Sequence, residues 1–429
     1  MNQQSHQNMT FSPMLWSRTL NRYMKEFVQD IARDQSAYRL GFTSRDMSRE
    51  GVVDATSHSY PVKYGEFWTN KQRQGHSLNE ISYRACFKPQ LPQYFIDRYS
   101  KEGDVVLDPF MGRGTTPIQS ALNGRIAYGS DINPLSEILT SSRLSPPCQE
   151  SVIERFRQIP KDAVISKDDE DLLVFYHPQT LQHLLGLKKW FIERSEAGDI
   201  TSEDKWIRMV VASRLSGHSP GFLSVKTMPP NQTISVKQQR KINEKHGRTP
   251  EKKDVLDIVL RKSKSLLRSG TLPSSFFLQH KLRCCGATNL DYIEAGEVDL
   301  IITSPPFMNV VDYAQDNWLR CWFMGIDEKN IAFDSHSSVE GWKSFVREVF
   351  KEFSRVIKHE GYVAFEVGEV KNGSINLEKK VIEAIEGLPF VVEEVLINRQ
   401  EFTKTSNCWG VNNNESGTNT NRIVVARRV

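Results

Sequence analysis

Short apolar runs that end in a polar residue and a turn recur along this chain. Residues 105–107 lead into Asp108 and a glycine-rich turn, residues 126–129 lead to Asp131, and residues 299–303 lead into a serine and two prolines. Apolar runs of this length, separated by helical patterns, are typical of parallel strands that are buried on both faces. The pattern therefore predicts an α/β protein with polar groups gathered at the carboxyl ends of its strands.

Apolar positions at helical spacing fill the intervals between these strands. The predicted helices cover residues 91–99, 115–122, 181–191, 206–213, 255–266 and 342–357. A further strand is predicted at residues 361–368, and residues 390–397 and 422–426 are predicted to form a closing hairpin.

The composition is that of a globular protein without stabilising crosslinks. With 429 residues, the chain is long enough to bury a core without disulfides or metal. Its six cysteines form no CxxC pair, no histidine cluster has the spacing of metal ligands, and no apolar run reaches the roughly 20 residues of a membrane-spanning helix. We therefore expect a cytoplasmic, metal-free protein that does not enter a membrane.

Positive charge is concentrated in one part of the chain. Residues 205–285 contain 17 Lys and Arg against 4 Asp and Glu, a net charge of +13, whereas the whole chain carries only +4. Because neutralisation of phosphates supplies most of the sequence-independent affinity for nucleic acid, this segment is a candidate site for a polyanion. The alternative is a solvated helical surface.

Two motifs carry a resemblance to a known family. Residues 105–116 read VVLDPFMGRGTT, and residues 299–307 read DLIITSPPF. In these motifs and their order, the chain resembles the amino-group DNA methyltransferases, which move a methyl group from S-adenosylmethionine to an exocyclic base nitrogen. The serine of SPPF resembles the cytosine-N4-specific branch, because adenine-N6 enzymes usually carry Asp or Asn there. The resemblance covers roughly residues 76–145 and 281–429.

This resemblance implies a fold and a division of the chain. The fold is a Rossmann-like S-adenosylmethionine-dependent methyltransferase sheet of seven mostly parallel strands with a closing antiparallel hairpin, interrupted by a largely helical insertion. Four parts are expected: an N-terminal helical extension (1–60), a cofactor-binding first part of the catalytic domain (61–145), a basic helical target-recognition region (146–280) and the second part of the catalytic domain (281–429).

The cofactor contacts that the resemblance implies surround the glycine-rich turn and the end of the next strand. Asp131 is placed to accept hydrogen bonds from the ribose hydroxyls. Asn289 takes the place of the acidic residue that often holds the adenine amine, with Asp291 or a backbone group as alternatives, and Arg113 reaches toward phosphate or toward solvent. The full set is Phe87, Lys88, Asp108, Pro109, Phe110, Gly112, Gly114, Thr115, Asp131 and Asn289.

The predicted catalytic residues are Ser304, Pro305, Pro306 and Phe307. A cytosine amine is a weak nucleophile because its lone pair is delocalised into the ring. The Ser304 hydroxyl and the Pro305 carbonyl are expected to accept its two hydrogens and favour a tetrahedral nitrogen, while Phe307 offers a face for stacking. The base must leave the duplex to reach such a pocket.

Double-stranded DNA is the partner implied by the basic segment together with the motifs. Residues 216–232, rich in turn formers, are a candidate for reading base edges. The residues predicted to contact DNA are Arg214, His218, Lys226, Asn231, Gln232, Lys237, Arg240, Lys241 and Lys245. The resemblance also implies a restriction-modification system with a cognate restriction endonuclease, and the sequence does not decide between a monomer and an oligomer.

Other functions compete with this interpretation. An adenine-N6 enzyme shares the fold, because serine at the first motif position is a preference and not a strict rule. A nucleic-acid-binding protein without catalysis has no need of SPPF, and no recognisable RNA-binding module supports an RNA substrate. Residues 147–149 read PCQ, the triplet that carries the nucleophile of cytosine-C5 enzymes, but no apolar strand precedes it and no feature there activates a thiol.

Overall fold

A computed structural model describes most of the chain. The described residues are 49–55, 58–67, 75–83, 86–161, 163–227, 233–270, 272, 279–306, 313–332, 336, 338–370, 375–399 and 420–429. The predicted helical segment before residue 49 lies outside them, as do Asn231, Gln232 and Phe307.

A nine-stranded sheet forms the centre of the described part of the chain. Its strands are β1 (Arg49–Ala55), β2 (His58–Gly65), β3 (Val105–Asp108), β4 (Ile126–Asp131), β5 (Lys281–Cys284), β6 (Val298–Thr303), β7 (Ile357–Val367), β10 (Phe390–Arg399) and β11 (Thr420–Arg428), and β8 (Glu369–Val370) pairs separately with β9 (Ile375–Asn376). Across the sheet the order is β1-β2-β10-β11-β7-β6-β3-β4-β5. The last five strands in this order run parallel, and β11 lies antiparallel between β7 and β10. The predicted α/β sheet with a closing antiparallel hairpin is confirmed.

The predicted count of seven strands is wrong, because β1 and β2 extend the sheet beyond the hairpin. Strand β2 pairs in parallel with β10 and antiparallel with β1. Residues 49–55 and 58–60 are therefore strand and not part of a helical extension, and the predicted boundary at residue 60 falls within β2. Pro61 and the polar neighbours of β2 hide this strand from pattern reading, since proline removes a donor from the ladder.

Helices flank the sheet and build the insertion. They are α1 (Gln90–Tyr99), α2 (Thr115–Leu122), α3 (Pro134–Leu144), α4 (Gln149–Gln158), α5 (Pro178–Ala197), α6 (Ser202–Ala212), α7 (Val236–His246), α8 (Val255–Leu267), α9 (Tyr313–Met324), α10 (Val339–Val356) and α11 (Leu377–Ile385). The six predicted helices correspond to α1, α2, α5, α6, α8 and α10 and are confirmed. None of the described helices combines the length and the hydrophobicity needed to cross a membrane.

Amphipathic helices bury one stripe of side chains against each face of the sheet. In α10, Trp342, Val346, Phe350 and Phe353 recur at helical spacing and are fully buried in a cluster that includes β7 and β10. On the other face, α1 inserts its Phe95 among alternate residues of β3 and β6. Each large apolar side chain buried in this way contributes about 1.5–3 kcal/mol, so the two helical layers fix the sheet.

The insertion shares one hydrophobic core with the catalytic part of the chain. Leu139 of α3, Phe191 of α5, Trp206 of α6 and Phe323 of α9 belong to a single buried cluster. Within it, the Trp206 Nε1 donates to Ser263 Oγ over 2.9 Å, which satisfies a polar atom in the core. The helices of the predicted insertion therefore pack directly on helices that follow strands of the sheet.

Candidate active site

A pocket lies at the carboxyl ends of β3, β4 and β6. Its empty volume, including its open mouth, is about 790 Å³. The turn after β3 and the corner after β6, far apart in the sequence, line it together. The lining residues are Tyr83, Cys86, Phe87, Asp108, Pro109, Phe110, Met111, Gly112, Thr115, Asp131, Ile132, Asn133, Gly286, Ala287, Ser304 and Pro306.

Two glycines with positive φ angles shape the turn after β3, and they do different jobs. Gly112 (φ 50°) lines the pocket, and its N–H donates to Asp131 Oδ2 over 2.9 Å. Gly114 (φ 77°) is buried and does not line the pocket, and a Cβ there would overlap the Thr140 side chain of α3. The structure thus gives Gly114 a packing role, and its contact with a cofactor stays a prediction.

The carboxylate of Asp131 closes the end of β4 and organises the backbone around it. Its Oδ2 accepts from Gly112, and its Oδ1 accepts from the N–H of Asn133 over 2.9 Å. Asn133 in turn caps α3, because its Oδ1 accepts from the N–H of Leu135 over 3.0 Å. The Asn133 Nδ2 is buried without a hydrogen-bond partner among the described residues, and sequence reasoning missed this residue. The signal was its position as an N-cap before Pro134.

The buried carboxyl of Asp108 joins the two motifs. Its Oδ1 accepts from the Thr303 hydroxyl over 2.6 Å and from the Phe110 N–H over 3.1 Å. Burial raises the pKa of Asp108 to about 7, although these hydrogen bonds and one from Thr116 oppose the shift. Since Asp108 ends β3 and Thr303 ends β6, this bond fixes the glycine-rich turn relative to the proline corner.

The corner after β6 presents Ser304 and Pro306 to the pocket, and Pro305 is buried beside them. The Trp342 Nε1 of α10 donates to the Pro306 carbonyl over 3.1 Å, which holds the corner in place. The predicted fourth member, Phe307, lies outside the described residues.

A buried acid that sequence reasoning missed lies behind this corner. Glu366 of β7 lies near Ser304, and its Oε1 accepts from Asn421 Nδ2 over 2.7 Å. Burial raises the pKa of Glu366 above its ordinary value, against the opposing effect of the Ser304 and Asn421 side chains. The sequence signal was a single acid within an otherwise apolar strand, where an ionisable group needs a partner.

The segment 76–83 contributes one wall of the pocket through Tyr83. Basic side chains from several elements donate to its backbone carbonyls: Arg143 to Leu78, Lys262 to Glu80, Arg113 to Ile81 and Arg320 to Ser82. Burial lowers the pKa of Arg143 to about 9 and that of Lys262 to about 7. The insertion therefore supports the pocket wall directly, since Lys262 belongs to α8.

Arg113 has a different role from the one expected. Its Nη1 donates to the Ile81 carbonyl over 2.9 Å, its Nη2 to the Phe87 carbonyl over 3.3 Å, and its Nε to Thr115 Oγ1 over 3.2 Å. The expectation that it reaches toward phosphate or solvent is wrong, because the guanidinium ties the glycine-rich turn to the neighbouring wall. Phe87 lines that wall as expected, whereas Lys88 is not among the lining residues.

At the other end of the pocket, two residues with little or no side chain, Gly286 and Ala287, line the position where the Asn289 side chain was expected. Asn289 is exposed and does not line the pocket, so its contact with the adenine amine stays a prediction that the position of its side chain does not support. Its N–H donates to the Gly286 carbonyl over 3.2 Å in a turn, and Gly286 and Ala287 are the residues that face the pocket. Of the three options left by the sequence, this arrangement favours a backbone group.

The residues predicted to contact DNA form two sets. His218, Lys226, Lys237, Lys241 and Lys245 are exposed, as is Arg240, which pairs with Asp171 over 3.1 Å. Arg214 is only partly exposed, and its guanidinium lies 4.5 Å from the centroid of the Phe222 ring. The PCQ triplet is unrelated to the pocket, because Cys148 is an exposed helix cap whose sulfur accepts from Ser151.

Comparison with known proteins agrees with this geometry. The family described as DNA methylase (N6/N4) matches residues 13–138 and 298–425, on either side of the insertion. The Type II methyltransferase M.BsoBI of Geobacillus stearothermophilus is 25% identical over 314 residues, covering 65% of this chain and 58% of that protein. The Type II methyltransferase M.MjaII of Methanocaldococcus jannaschii is 34% identical over 94 residues (22% of this chain, 17% of that protein). The Orphan methyltransferase M.BamHII of Bacillus amyloliquefaciens is 42% identical over 76 residues (17% and 29%).

This chain thus spans less than two thirds of the length of these relatives. Among solved structures, a geranyl diphosphate methyltransferase in complex with GPP and sinefungin gives a TM-score of 0.32 at 10% identity, over 79% of this chain and 78% of that one, a likeness too weak to carry an argument. The two segments that match the family together cover more than half of this chain. The chain therefore belongs to the DNA methylase family, the amino-group DNA methyltransferases.

Proposed function

We propose that this chain is an S-adenosylmethionine-dependent DNA methyltransferase that methylates the N4 amine of a cytosine extruded from double-stranded DNA, within a short specific sequence. The observation that carries the proposal is a single pocket with Gly112 and Asp131 on one side and Ser304 and Pro306 on the other. A methyl donor and an extruded base need adjoining sites, and these two motifs supply one each.

The polar groups of the pocket fit the cofactor. Asp131 offers a carboxylate to the ribose hydroxyls, and Gly112 lets a ligand approach the backbone. Asn133 lines the pocket, and its Nδ2 is a buried donor with no hydrogen-bond partner among the residues that the structure describes, which costs free energy until a ligand supplies an acceptor. S-adenosylmethionine, when bound, supplies a methyl group on a positively charged sulfur.

Ser304 and Pro305 orient the target amine. A serine hydroxyl can accept from an amine only if its own proton points elsewhere, and the acceptor that we assign to this proton is Glu366, whose pKa is influenced by the Ser304 side chain. The Ser304 lone pairs are then free for one amine hydrogen, and the Pro305 carbonyl accepts the other. The nitrogen lone pair is thereby localised on the face that meets the methyl donor.

Glu366 also provides a destination for the proton that the reaction releases. When the nitrogen gains a methyl group it becomes positively charged and must lose one hydrogen. That proton passes to Ser304 Oγ while the Ser304 hydroxyl proton passes to Glu366, so Ser304 ends the step neutral and Glu366 ends it protonated. The raised pKa of Glu366 makes it a better acceptor for this proton than an ordinary carboxylate.

The choice of cytosine N4 over adenine N6 rests on Ser304, where adenine-N6 enzymes usually carry Asp or Asn. The position of Glu366 is consistent with this choice. The neutral Ser304 hydroxyl faces the target amine, and the acidic group lies behind it and does not contact the base directly. Adenine N6 is the alternative target in the same pocket.

The names of the relatives support a place in restriction-modification. M.BsoBI and M.MjaII are both called Type II methyltransferases. We therefore include in the proposal that the methyl mark protects DNA against a cognate restriction endonuclease.

The test is to identify the modified nucleoside. The full chain is incubated with methylation-free duplex DNA and S-adenosylmethionine with an isotopically labelled methyl group, and the digested nucleosides are analysed by mass spectrometry. We expect labelled N4-methyldeoxycytidine, and a loss of about 100-fold or more with Ser304→Ala at unchanged cofactor affinity. Labelled N6-methyldeoxyadenosine would overturn the assignment to cytosine and identify adenine N6 as the target. If the protein is folded and the DNA stays unlabelled, the proposed function is refuted.

A further inference from the structure

Arg214 is held by its backbone at the start of the loop that joins α6 to α7. Its N–H donates to the Val211 carbonyl over 2.8 Å, and its carbonyl accepts from the Leu223 N–H over 2.9 Å. The side chain packs its guanidinium 4.5 Å from the centroid of the nearly buried Phe222 ring. The loop thus folds back over Arg214 and fixes where the guanidinium lies before any ligand arrives.

One nitrogen of this partly buried guanidinium lacks a hydrogen-bond acceptor in the described part of the protein. The Arg214 Nε is buried and has no hydrogen-bond partner among the described residues. Burial, together with the positive charge of nearby Arg320, lowers the pKa of Arg214 to about 10. A cation removed from water is costly unless an anion or an acceptor compensates it.

The neighbouring cations differ from Arg214 because each of them is satisfied. Lys262 donates to the Glu80 carbonyl over 2.6 Å, and Arg320 donates to the Ser82 carbonyl over 3.0 Å. Arg214 raises the electrostatic cost of both, since it is a positive neighbour of Lys262 as well as of Arg320. One anion at Arg214 would lower the electrostatic energy of all three groups.

We propose that Arg214 is the binding site of a DNA backbone phosphate on the insertion side of the cofactor pocket. This inference rests on the proposed function. A phosphate matches the planar fork of donors of an arginine, and Arg214 lies within the segment that carries a net charge of +13. Because Arg214 does not line the cofactor pocket, the anion belongs to DNA and not to the cofactor carboxylate.

The geometry also ranks this site above the exposed lysines of α7. Lys237, Lys241 and Lys245 are exposed, so salt and water screen their contacts with phosphate. The Arg214 side chain is partly buried and packs against Phe222, so it is less hydrated than these lysines. It therefore gains more from one phosphate than a solvated lysine does.

The test compares binding of a short fluorescein-labelled DNA duplex by anisotropy over a series of salt concentrations. For Arg214→Gln we expect about 10-fold weaker binding and a salt slope smaller by about 0.9, the value for one phosphate contact. Arg214→Lys keeps the charge, so it should keep the slope and recover part of the affinity. The matched control is Arg261→Gln, which removes an exposed charge of α8 already paired with Asp257 and should leave the slope unchanged.

Two further measurements separate the possible failures. Calorimetry with S-adenosylhomocysteine should give equal affinity for wild type and Arg214→Gln, and a weaker value would assign the anion to the cofactor and overturn the inference. An unchanged salt slope in folded Arg214→Gln, or a flattened slope in Arg214→Lys, would overturn it as well. Wild-type protein that neither binds nor methylates duplex DNA would instead refute the proposed function.

Discussion

The proposed role of Ser304 is to accept a hydrogen bond from the target amine, and this role requires a neighbour that accepts its own proton. A hydroxyl is both a donor and an acceptor, and only its orientation decides which it offers to a substrate. In the proposed mechanism, Glu366 accepts the hydroxyl proton of Ser304, so that the Ser304 oxygen can accept a hydrogen bond on the pocket side. Ser304 directly follows β6, and Glu366 belongs to the neighbouring strand β7, so two adjacent strands of the sheet supply this pair.

Glu366→Gln tests this division, because the amide keeps an oxygen for Ser304 and removes the charge. We expect turnover to fall about 10- to 100-fold with little change in cofactor affinity. In wild type the rate should fall as pH drops through the raised pKa of Glu366, since the protonated carboxyl accepts no further proton. The variant should lack this acid limb in initial rates of methyl transfer.

The double variant Ser304→Ala/Glu366→Gln is the control for a shared role. If the two residues act as one unit, the double variant loses no more turnover than Ser304→Ala alone. Additive losses, or the same acid limb in Glu366→Gln as in wild type, would contradict the relay.

Asn133 has two functions that two substitutions can separate. Asn133→Ser keeps an oxygen that can cap α3 and removes the Nδ2 donor, whereas Asn133→Ala removes both. We expect both variants to bind S-adenosylhomocysteine about 5- to 10-fold more weakly in calorimetry. Only Asn133→Ala should also lose about 1 kcal/mol of unfolding free energy through the missing cap. Wild-type cofactor affinity in Asn133→Ser would exclude the proposed donor.

Among the structural elements, the glycine-rich turn is constrained by close packing in addition to its proposed contact with the cofactor. Gly114→Ala places a methyl group against Thr140 at a positive φ, so we expect a loss of about 2–4 kcal/mol in urea denaturation. Gly112→Ala is the matched variant, since its nearest neighbour, the Cys86 sulfur, is 3.6 Å away. It should cost only about 1–2 kcal/mol and weaken cofactor binding instead. Equal losses of stability would contradict this distinction.

Elements with clear end signals were predictable from the sequence. Helix α2 begins and ends at the predicted residues, because Gly114 enters it in a left-handed conformation and Asn123-Gly124 stops it. Helix α7 was missed because it has no apolar stripe. It buries Gln239 and Asn243 instead, and Asn243 Nδ2 donates to the Val174 carbonyl over 2.8 Å. Its capping box, Ser235 with Gln238, was the available signal.

The candidate site divides in the same way. Asp131 and Ser304 each lie at the end of a strand next to a recognisable turn, so their positions could be predicted from the sequence motifs. Glu366 and Arg113 act on partners distant in the sequence, and only the folded chain brings the Ser304 hydroxyl or the Ile81 carbonyl within their reach. A local pattern cannot predict a hydrogen bond whose acceptor is positioned by tertiary packing.

At the scale of the whole molecule, the exposed lysines of α7 test where DNA lies. Reversing the charge of Lys237, Lys241 and Lys245 to Glu should weaken duplex binding and flatten its dependence on salt, because fewer counterions are released. Reversal of Lys351 on α10, across the sheet and paired with Glu348, is the control and should change neither. Binding curves over a salt series measure both, and an unchanged slope in the triple variant would remove α7 from the interface.

The anchoring of segment 76–83 has a consequence for engineering new target specificity. Lys262 and Arg268, both contributed by the insertion side, hold Glu80 through its carbonyl and its carboxylate. In the proposed function the insertion recognises the DNA target, so a chimera that replaces it also replaces two side chains that hold the wall of the proposed cofactor pocket. We therefore expect a chimera to need side chains equivalent to Lys262 and Arg268. Without them, cofactor binding is expected to weaken, and a change of target sequence could not be measured.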